Sequence, residues 1–133
     1  MYEWPIEFGK VREFAQAVKS DNPAHQGAAA LIPPTFLTTA RLVWEPAADS
    51  AISQLGFDMT RVLHGEEEYE FFGPPPRAGQ TLEVQSRVEQ RFEKPGGRGG
   101  TMRFAVVVNE FSDPSGTTVA RQRTTVIETE ARA

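Results

Sequence analysis

The sequence predicts an α+β fold in which an antiparallel β-sheet wraps around an α-helix. Apolar residues recur at helical spacing up to Leu55, and from residue 59 to the C-terminus the hydrophobic period changes to two. A sheet with one apolar face needs a cover. The broadest apolar helical stripe begins at Phe36, so we expect that helix to be the most buried one and to lie on the sheet.

Three helices are predicted before the sheet. The first covers residues 11–18, where apolar residues follow an i, i+3, i+4, i+7 pattern, and Pro23 prevents its continuation. The second begins near Pro34, because proline is tolerated at a helix start. The third covers residues 47–55, with Gly56 suited to a left-handed cap.

Four long strands are predicted after the helices. The clearest one covers residues 81–92, where polar positions alternate with apolar ones on a single face; the apolar positions are Leu82, Val84, Val88 and Phe92. The glycine-rich stretch 94–100 forms a turn to the next strand, whose apolar face carries Met102, Phe104, Val106 and Val108. A second turn at 113–116 leads to a last strand over 117–129, which is rich in β-branched residues.

Composition indicates one domain spanning residues 1–133 and excludes several classes of function. The chain has 18 acidic and 14 basic residues, and the basic ones are scattered, which argues against a nucleic-acid partner. The absence of cysteine excludes a thiolate nucleophile and a cysteine zinc site, and a reducing cytoplasm is the expected location. No leader-like segment and no apolar stretch of about 18 residues occurs, so we expect no membrane association.

Three segments together resemble one known family. They are FAQAVKSDNPAH at 14–25, IPPTF at 32–36 and VLHGEEEYEFFGPPPRAGQTLEV at 62–84. In this order they resemble the MaoC-like hydratases, and more closely the fatty-acid-synthase-type dehydratase domain that forms the N-terminal half of such enzymes. The resemblance implies the hot-dog fold and a thioester substrate, which is either a trans-2-enoyl thioester that gains water or an (R)-3-hydroxyacyl thioester that loses it. Coenzyme A and acyl carrier protein are the two possible handles, and no cofactor or metal is expected.

The family's catalytic pattern reads D-x-N-P-x-H, which implies an aspartate and a histidine that divide the proton transfers. The matching stretch here runs from Ser20 to His25. Asn22 and His25 fall on the pattern, but Ser20 occupies the aspartate position, and a hydroxyl is not a base near neutral pH. Asp21 lies one position away and is the alternative carboxylate. His25 and Asp21 are therefore the candidate catalytic residues.

The resemblance also implies where the substrate binds. The thioester carbonyl is expected at the start of the helix near Pro34, where free N–H groups and the helix dipole stabilise negative charge. Phe36 and Leu37 would then line the floor of the acyl pocket. The candidate substrate-binding residues are Asn22, Pro34, Thr35, Phe36 and Leu37.

The incomplete catalytic pattern favours one function over two others. We expect a subunit of an (R)-specific enoyl-thioester hydratase or 3-hydroxyacyl-thioester dehydratase that shapes the acyl pocket and requires a catalytic MaoC-like partner, in a homodimer or a heterodimer. One alternative is a homodimer that binds acyl thioesters without chemistry. The other is a hot-dog thioesterase, which is disfavoured because residues 34–44 contain no carboxylate.

Several of these residues also have plainer interpretations. His25 is equally well an ordinary loop histidine, and Asp21 and Asn22 are more typical of local backbone caps. The glutamates at 66–68 and 70 cannot converge on one cation, because consecutive strand residues face opposite sides, so a solvated or interface strand is favoured. The glycine-rich stretch 96–100 lacks the strand-to-helix setting of a phosphate site, which favours a hairpin tip.

Overall fold

The computed structural model describes residues 1–131, so the last two positions of the predicted 1–133 domain lie outside it. A five-stranded antiparallel sheet has the order β1-β3-β4-β5-β2, and helical segments cover one of its faces. This arrangement confirms the predicted α+β hot-dog fold. The strands are β1 (Tyr2–Pro5), β2 (Val62–Phe71), β3 (Thr81–Pro95), β4 (Thr101–Ser112) and β5 (Thr118–Glu128).

The first predicted helix is present as α1, Phe8–Ala17, and it begins three residues earlier than residue 11. Val11 and Ala15 are buried, because they project from one side of the helix onto the core. At the C-terminal end Lys19 adopts a left-handed conformation with φ 56°, and the Ser20 N–H donates to the Ala15 carbonyl. This ending directs the chain away from the core and into the loop that contains His25.

The second predicted helix is not a regular α-helix. The backbone N–H groups of Phe36, Thr38, Thr39 and Ala40 bond three residues back, and Ala40–Trp44 then forms a π-helical turn. Two prolines precede the segment and supply no N–H group, and the Thr39 hydroxyl donates to the Phe36 carbonyl at 2.8 Å. The prediction of a helix beginning near Pro34 was therefore wrong in form, although the segment does cover the sheet.

The third predicted helix is reduced to turns. Residues 47–52 form turns, and a 3₁₀ turn covers Ser53–Leu55. Gly56 has φ 69°, which confirms the predicted left-handed cap. A further 3₁₀ turn at Met59–Arg61 leads into β2.

The short strand β1 was missed in the sequence. Tyr2, Trp4 and Ile6 are all buried, and β1 pairs with β3 so that Trp4 lies opposite Leu82. The alternation of large apolar residues was a visible signal, but Pro5 and a length of four residues disguised it.

Two separate apolar clusters lie on the face of the sheet that carries the helical segments, which we call the inner face. The first cluster contains the buried residues Tyr2, Trp4, Ile6, Val11, Ala30, Ile32, Phe36, Leu37, Ala40, Ala78, Leu82, Val84, Phe111 and Ala120. The second cluster contains Ala51, Ile52, Leu55, Ala105, Val107 and Val126. The segment 34–44 therefore covers one end of the sheet, and the segment 47–57 covers the other.

The second cluster is closed at its outer end by a buried carboxylate. Glu128 is 4% exposed and accepts a hydrogen bond from the Asp58 N–H. Arg103 contacts the same carboxylate at 2.7 Å, and Arg61 lies 3.7 Å from it. Burial by itself raises the pKa of Glu128, but these donors and charges outweigh it and hold the pKa below its usual value.

A bulge in β3 divides between two faces of the sheet the apolar residues for which the sequence predicted one face. Val84 and Val88 lie on the inner face, where their partners are Phe111 and Val107. The register shifts between Val88 and Gln90, so Phe92 turns to the opposite, outer face. It stacks there on Phe104, with ring centroids 4.8 Å apart.

Within residues 1–131, no helix reaches the length and apolar character that crossing a membrane requires.

Candidate functional site

The loop after α1 holds His25 in a defined orientation. The side chain of Asn22 accepts a hydrogen bond from the Ala24 N–H at 3.0 Å and caps the 3₁₀ turn Pro23–His25. The Nδ1 atom of His25 lies 2.9 Å from the Leu31 carbonyl oxygen. Because a carbonyl can only accept, Nδ1 carries the proton, and Nε2 is left with a lone pair that can accept one. Asn22 therefore acts as a local cap, and His25 is held in one orientation.

The loop does not bring a carboxylate to His25. Asp21 is exposed, and no hydrogen bond or ion pair joins it to His25 in the described part of the chain. Ser20 lies closer to the helix and accepts a long hydrogen bond, 3.4 Å, from the Asn22 N–H. The imidazole is thus positioned without a partner that would take or return a second proton.

The stretch that follows the loop is anchored through backbone contacts to residues 76–78. The Ile32 N–H donates to the Pro76 carbonyl at 3.1 Å, and the Ala78 N–H donates to the Ala30 carbonyl at 2.9 Å. Leu31 forms an isolated bridge with Arg77 between these two bonds. Two of the segments that carry the family resemblance therefore lie side by side, and they fix the carbonyl that orients His25.

The predicted substrate-binding residues divide into two groups. Pro34 and Thr35 are exposed, whereas Phe36 and Leu37 are fully buried in the first cluster. The Phe36 ring packs edge-on against Phe14 at 5.3 Å and tilted against Trp4 at 5.7 Å. Because residues 34–37 form turns, the expected regular α-helix N-terminus at Pro34 is missing, and the segment begins with hydrogen bonds to the carbonyl three residues back instead.

A cleft of about 400 Å³ joins α1 to the loop. His25 and Ser20 both line it, together with Phe8, Arg12, Ala15, Gln16, Gln26 and Gly27. Arg12 supplies a positive charge, and the exposed Phe8 ring lies 5.7 Å from its guanidinium group. The cleft can therefore accept an anionic or polar group beside the His25 imidazole.

A larger cleft, about 840 Å³, lies elsewhere and contains neither His25 nor Ser20. It lies beside the turn between β3 and β4, whose N–H groups at Arg98 and Gly100 both donate to the Glu130 carboxylate at 3.1 Å. The glycine-rich stretch is a hairpin tip, as predicted, and its donors are held by the chain's own glutamate. We therefore assign the candidate site to the smaller cleft.

A buried polar row, which was not predicted from the sequence, separates the two apolar clusters. Asn109 on β4 donates to Gln122 on β5 at 3.1 Å, and Gln122 donates to the Glu67 carboxylate on β2. Burial and the nearby Glu67 charge raise the pKa of Tyr69, which lies opposite Gln122, to about 12. Glu67 Oε2, Asn109 Oδ1 and Thr124 Oγ1 are buried without a hydrogen-bond partner among residues 1–131. Asn109 and Gln122 stand inside otherwise apolar strand positions, which was the available signal.

Comparison with known proteins identifies the family to which the chain belongs. The profile of the family described as "FAS1-like, dehydratase domain region" matches residues 2–122. A UPF0336 protein of Streptomyces coelicolor is 39% identical over 98 residues, which are 64% of this chain and 63% of that protein. The alignment thus spans less than two thirds of that relative's length.

Solved structures share the fold over almost the whole chain. A MaoC-like dehydratase superposes with a TM-score of 0.78 and 25% identity, covering 97% of this chain and 40% of that one. The C-terminally truncated HadBC (3R-hydroxyacyl-ACP dehydratase) complex of Mycobacterium tuberculosis gives a TM-score of 0.74 at 22% identity, covering 95% and 90%. The chain therefore belongs to the FAS1-like dehydratase-domain-region family and has the hot-dog fold of MaoC-like hydratases and dehydratases.

Proposed function

We propose that this chain is the acyl-pocket-forming subunit of an (R)-specific enoyl-thioester hydratase or 3-hydroxyacyl-thioester dehydratase. The observation that carries the proposal is the loop from Ser20 to His25. It orients an imidazole toward proton transfer through the bond to the Leu31 carbonyl, but it places a serine where the reaction needs a carboxylate. The second subunit would be a catalytic MaoC-like protein that supplies the missing group.

The reaction needs more proton-transfer groups than this loop contains. In hydration, a base removes a proton from water as the oxygen bonds to C3, and an acid delivers a proton to C2. Dehydration runs through the same steps in reverse. His25 Nε2 is suited to one of these transfers. Asp21 is exposed and forms no hydrogen bond or ion pair with His25 among the described residues, so we assign the other transfer to the partner.

Substrate contacts follow from the position of the cleft. We propose that the thioester lies beside His25 and Asn22, with the exposed Pro34 and Thr35 on the other side of the bound acyl group. Phe36 and Leu37 would support this surface from below, because both are buried in the first cluster. Arg12 in the cleft would attract the phosphates of coenzyme A or of the acyl carrier's prosthetic arm.

The assembly that we propose is a pair of hot-dog subunits. The HadBC structure, which this chain resembles in fold, is itself described as a complex. Our proposal extends to a single domain over residues 1–133 and to a cytoplasmic location, which is expected of a chain without cysteine.

Turnover measurements with crotonyl-CoA test the proposal. The purified chain is expected to be nearly inactive alone, and co-expression with a MaoC-like protein from a neighbouring gene is expected to restore hydration. In that complex His25→Ala should lower kcat by about a hundredfold, as expected for a lost general acid–base group. Gln85→Ala is the control, because Gln85 is an exposed polar residue on β3 that lines neither the His25 cleft nor the β2 edge.

The variant Ser20→Asp provides an independent gain-of-function measurement. Ser20 lines the same cleft as His25, so an aspartate at that position is expected to give the isolated chain measurable hydratase activity. Strong activity of the unmodified chain by itself would refute the division of labour. Acyl-CoA binding without hydration and without release of free thiol, even with the partner present, would favour the non-catalytic binding homodimer instead.

A further inference from the structure

The strand β2 forms an open edge of the sheet. It pairs with β5 on one side, and no other strand of residues 1–131 pairs with its other side. An unpaired edge of ten residues presents a row of free backbone N–H and C=O groups that a further strand can bond. The side chains on this edge therefore decide which strand can add to it.

On the outer face, β2 presents a column with apolar ends and an acidic centre. Leu63, 58% exposed, lies at one end, and Phe72, 47% exposed, lies just beyond the other. Between them Glu66, Glu68 and Glu70 project from the same face, because the bulge between His64 and Glu66 resets the alternation there.

Neighbouring arginines compensate only part of this acidic charge. Arg123 contacts Glu68 at 2.7 Å, and Arg121 lies 3.5 Å from Glu70. Arg123 also forms an ion pair with Glu89 on β3, and Arg121 forms one with Glu110 on β4. Arg87 forms ion pairs with both of these glutamates. Glu66 forms no ion pair with any residue of the described chain. Five glutamates thus face three arginines, and the outermost column is acidic.

We propose that this edge docks a different subunit whose edge strand carries lysine or arginine at alternate positions, and that it disfavours a second copy of this chain. The inference rests on the proposed function, in which a second hot-dog subunit completes the site. A basic partner column would lie directly opposite Glu66, Glu68 and Glu70, and its apolar residues would cover Leu63 and Phe72. Opposite charges facing each other across two strands attract, and like charges repel.

Self-pairing of β2 brings glutamate against glutamate in every central register. A two-fold pair of antiparallel strands matches outer-face residues with outer-face residues. If the axis passes through residue 66, 68 or 70, that glutamate faces its own copy. If the axis passes through residue 67, Glu66 faces Glu68, and an axis through residue 69 places Glu68 against Glu70. The acidic column is therefore repelled by its own copy wherever the axis falls between residues 66 and 70.

Sedimentation velocity with designed copies of the chain tests this inference. The probe partner is the chain carrying Glu66→Lys, Glu68→Lys and Glu70→Lys, mixed with the unmodified chain. At about 50 mM NaCl we expect the mixture to associate at least tenfold more tightly than either chain with itself, and at about 500 mM NaCl we expect this preference to shrink. Circular dichroism establishes that each chain is folded.

A neutral variant keeps the test decisive if the lysine chain does not fold. Replacing the same three residues by glutamine removes the repulsion, so its self-association should be about tenfold tighter than that of the unmodified chain. The matched control makes an equal charge change at the β1 end of the sheet, with Glu3→Gln on β1, Glu83→Gln opposite it on β3 and Glu7→Gln just after β1, and it should leave self-association unchanged.

The docking proposal fails if the unmodified chain self-associates as tightly as the glutamine variant, or if the lysine chain binds it no better than it binds itself. This failure is separable from that of the proposed function. If a catalytic partner restores turnover and binds the glutamine variant as tightly as it binds the unmodified chain, only the docking proposal is overturned. Charge-selective pairing together with a catalytic partner that restores no turnover would overturn only the proposed function.

Discussion

The two ends of the inner face are stabilised by different interactions. In the first cluster Trp4 packs on Phe36 and on Phe111, with ring centroids 5.7 and 5.4 Å apart, and Phe14 adds a third contact. The second cluster consists of smaller side chains and is closed by the contacts of Glu128 with Asp58, Arg61 and Arg103. Aromatic packing stabilises one end, and a buried carboxylate contributes at the other.

This difference bears on the candidate site. The stretch after the His25 loop enters the first cluster through Ala30 and Ile32, so the imidazole is anchored at the end that aromatic packing stabilises. The second cluster depends on an ionised glutamate. We therefore expect the two ends to respond differently to mutation and to pH.

The largest effect is expected from emptying the first cluster. Phe36→Ala removes a side chain that is 1% exposed and in contact with two rings, and it should lower the free energy of unfolding by about 4 kcal/mol. Leu55→Ala in the second cluster is the matched comparison and should cost about 2 kcal/mol, at the low end for a buried leucine, because its neighbours are small. Urea denaturation followed by circular dichroism measures both.

Equal losses from these two variants would show that aromatic packing does not distinguish the two ends. A loss for Leu55→Ala that exceeds the loss for Phe36→Ala would reverse the comparison.

An intermediate effect that depends on pH is expected at Glu128. Glu128→Gln removes charge-assisted hydrogen bonds and should destabilise the protein by about 2 kcal/mol near pH 7. Because the pKa of Glu128 is lowered in the folded state, its contribution is complete above the unfolded value of about 4.3 and is lost as pH falls through the folded value. Unfolding measured from about pH 7 to about pH 3 should show the two proteins converging at the acid end. A difference that stays constant over this range would contradict the role of the charge.

The smallest effect is expected in the polar row between the clusters. Thr124 is 1% exposed, and its hydroxyl has no partner in the described chain, so Thr124→Val should raise the free energy of unfolding by about 0.5 to 1 kcal/mol. Thr125→Val on the outer face is the control and should change it by less than about 0.5 kcal/mol. Thermal denaturation of the pair measures the difference, and a loss of stability in Thr124→Val would show that the hydroxyl is hydrogen-bonded.

Much of the fold could be predicted from local patterns. The two hairpin turns, the long strands and the first helix each rest on a few neighbouring residues, and all of them are present. The segment 34–44 was harder, since its apolar stripe resembles that of a helix while Pro33, Pro34 and Thr39 prevent regular α-helical bonding. Periodicity reports which residues are apolar, but it does not report how the backbone between them is bonded.

The candidate site shows the same division. Asn22 and His25 and the serine at position 20 were visible in the sequence, and the structure adds the Leu31 carbonyl that orients the imidazole. The row formed by Glu67, Asn109 and Gln122 was not visible, because these residues are far apart in the chain and become neighbours only when β2, β4 and β5 pair.

The sequence by itself determined the long strands β2 to β5 in their order along the chain, the two hairpin turns, and the serine at the position where the resemblance implies a catalytic aspartate. Tertiary structure alone decided which face of β4 is inner: both alternations are apolar, and Ala105 and Val107 meet the covering segment while Phe104 and Val106 face outward. It also decided the side of Phe92, through the bulge after Val88. The physical reason is that alternation depends only on neighbouring residues, whereas the choice of face depends on what packs against the sheet from distant parts of the chain.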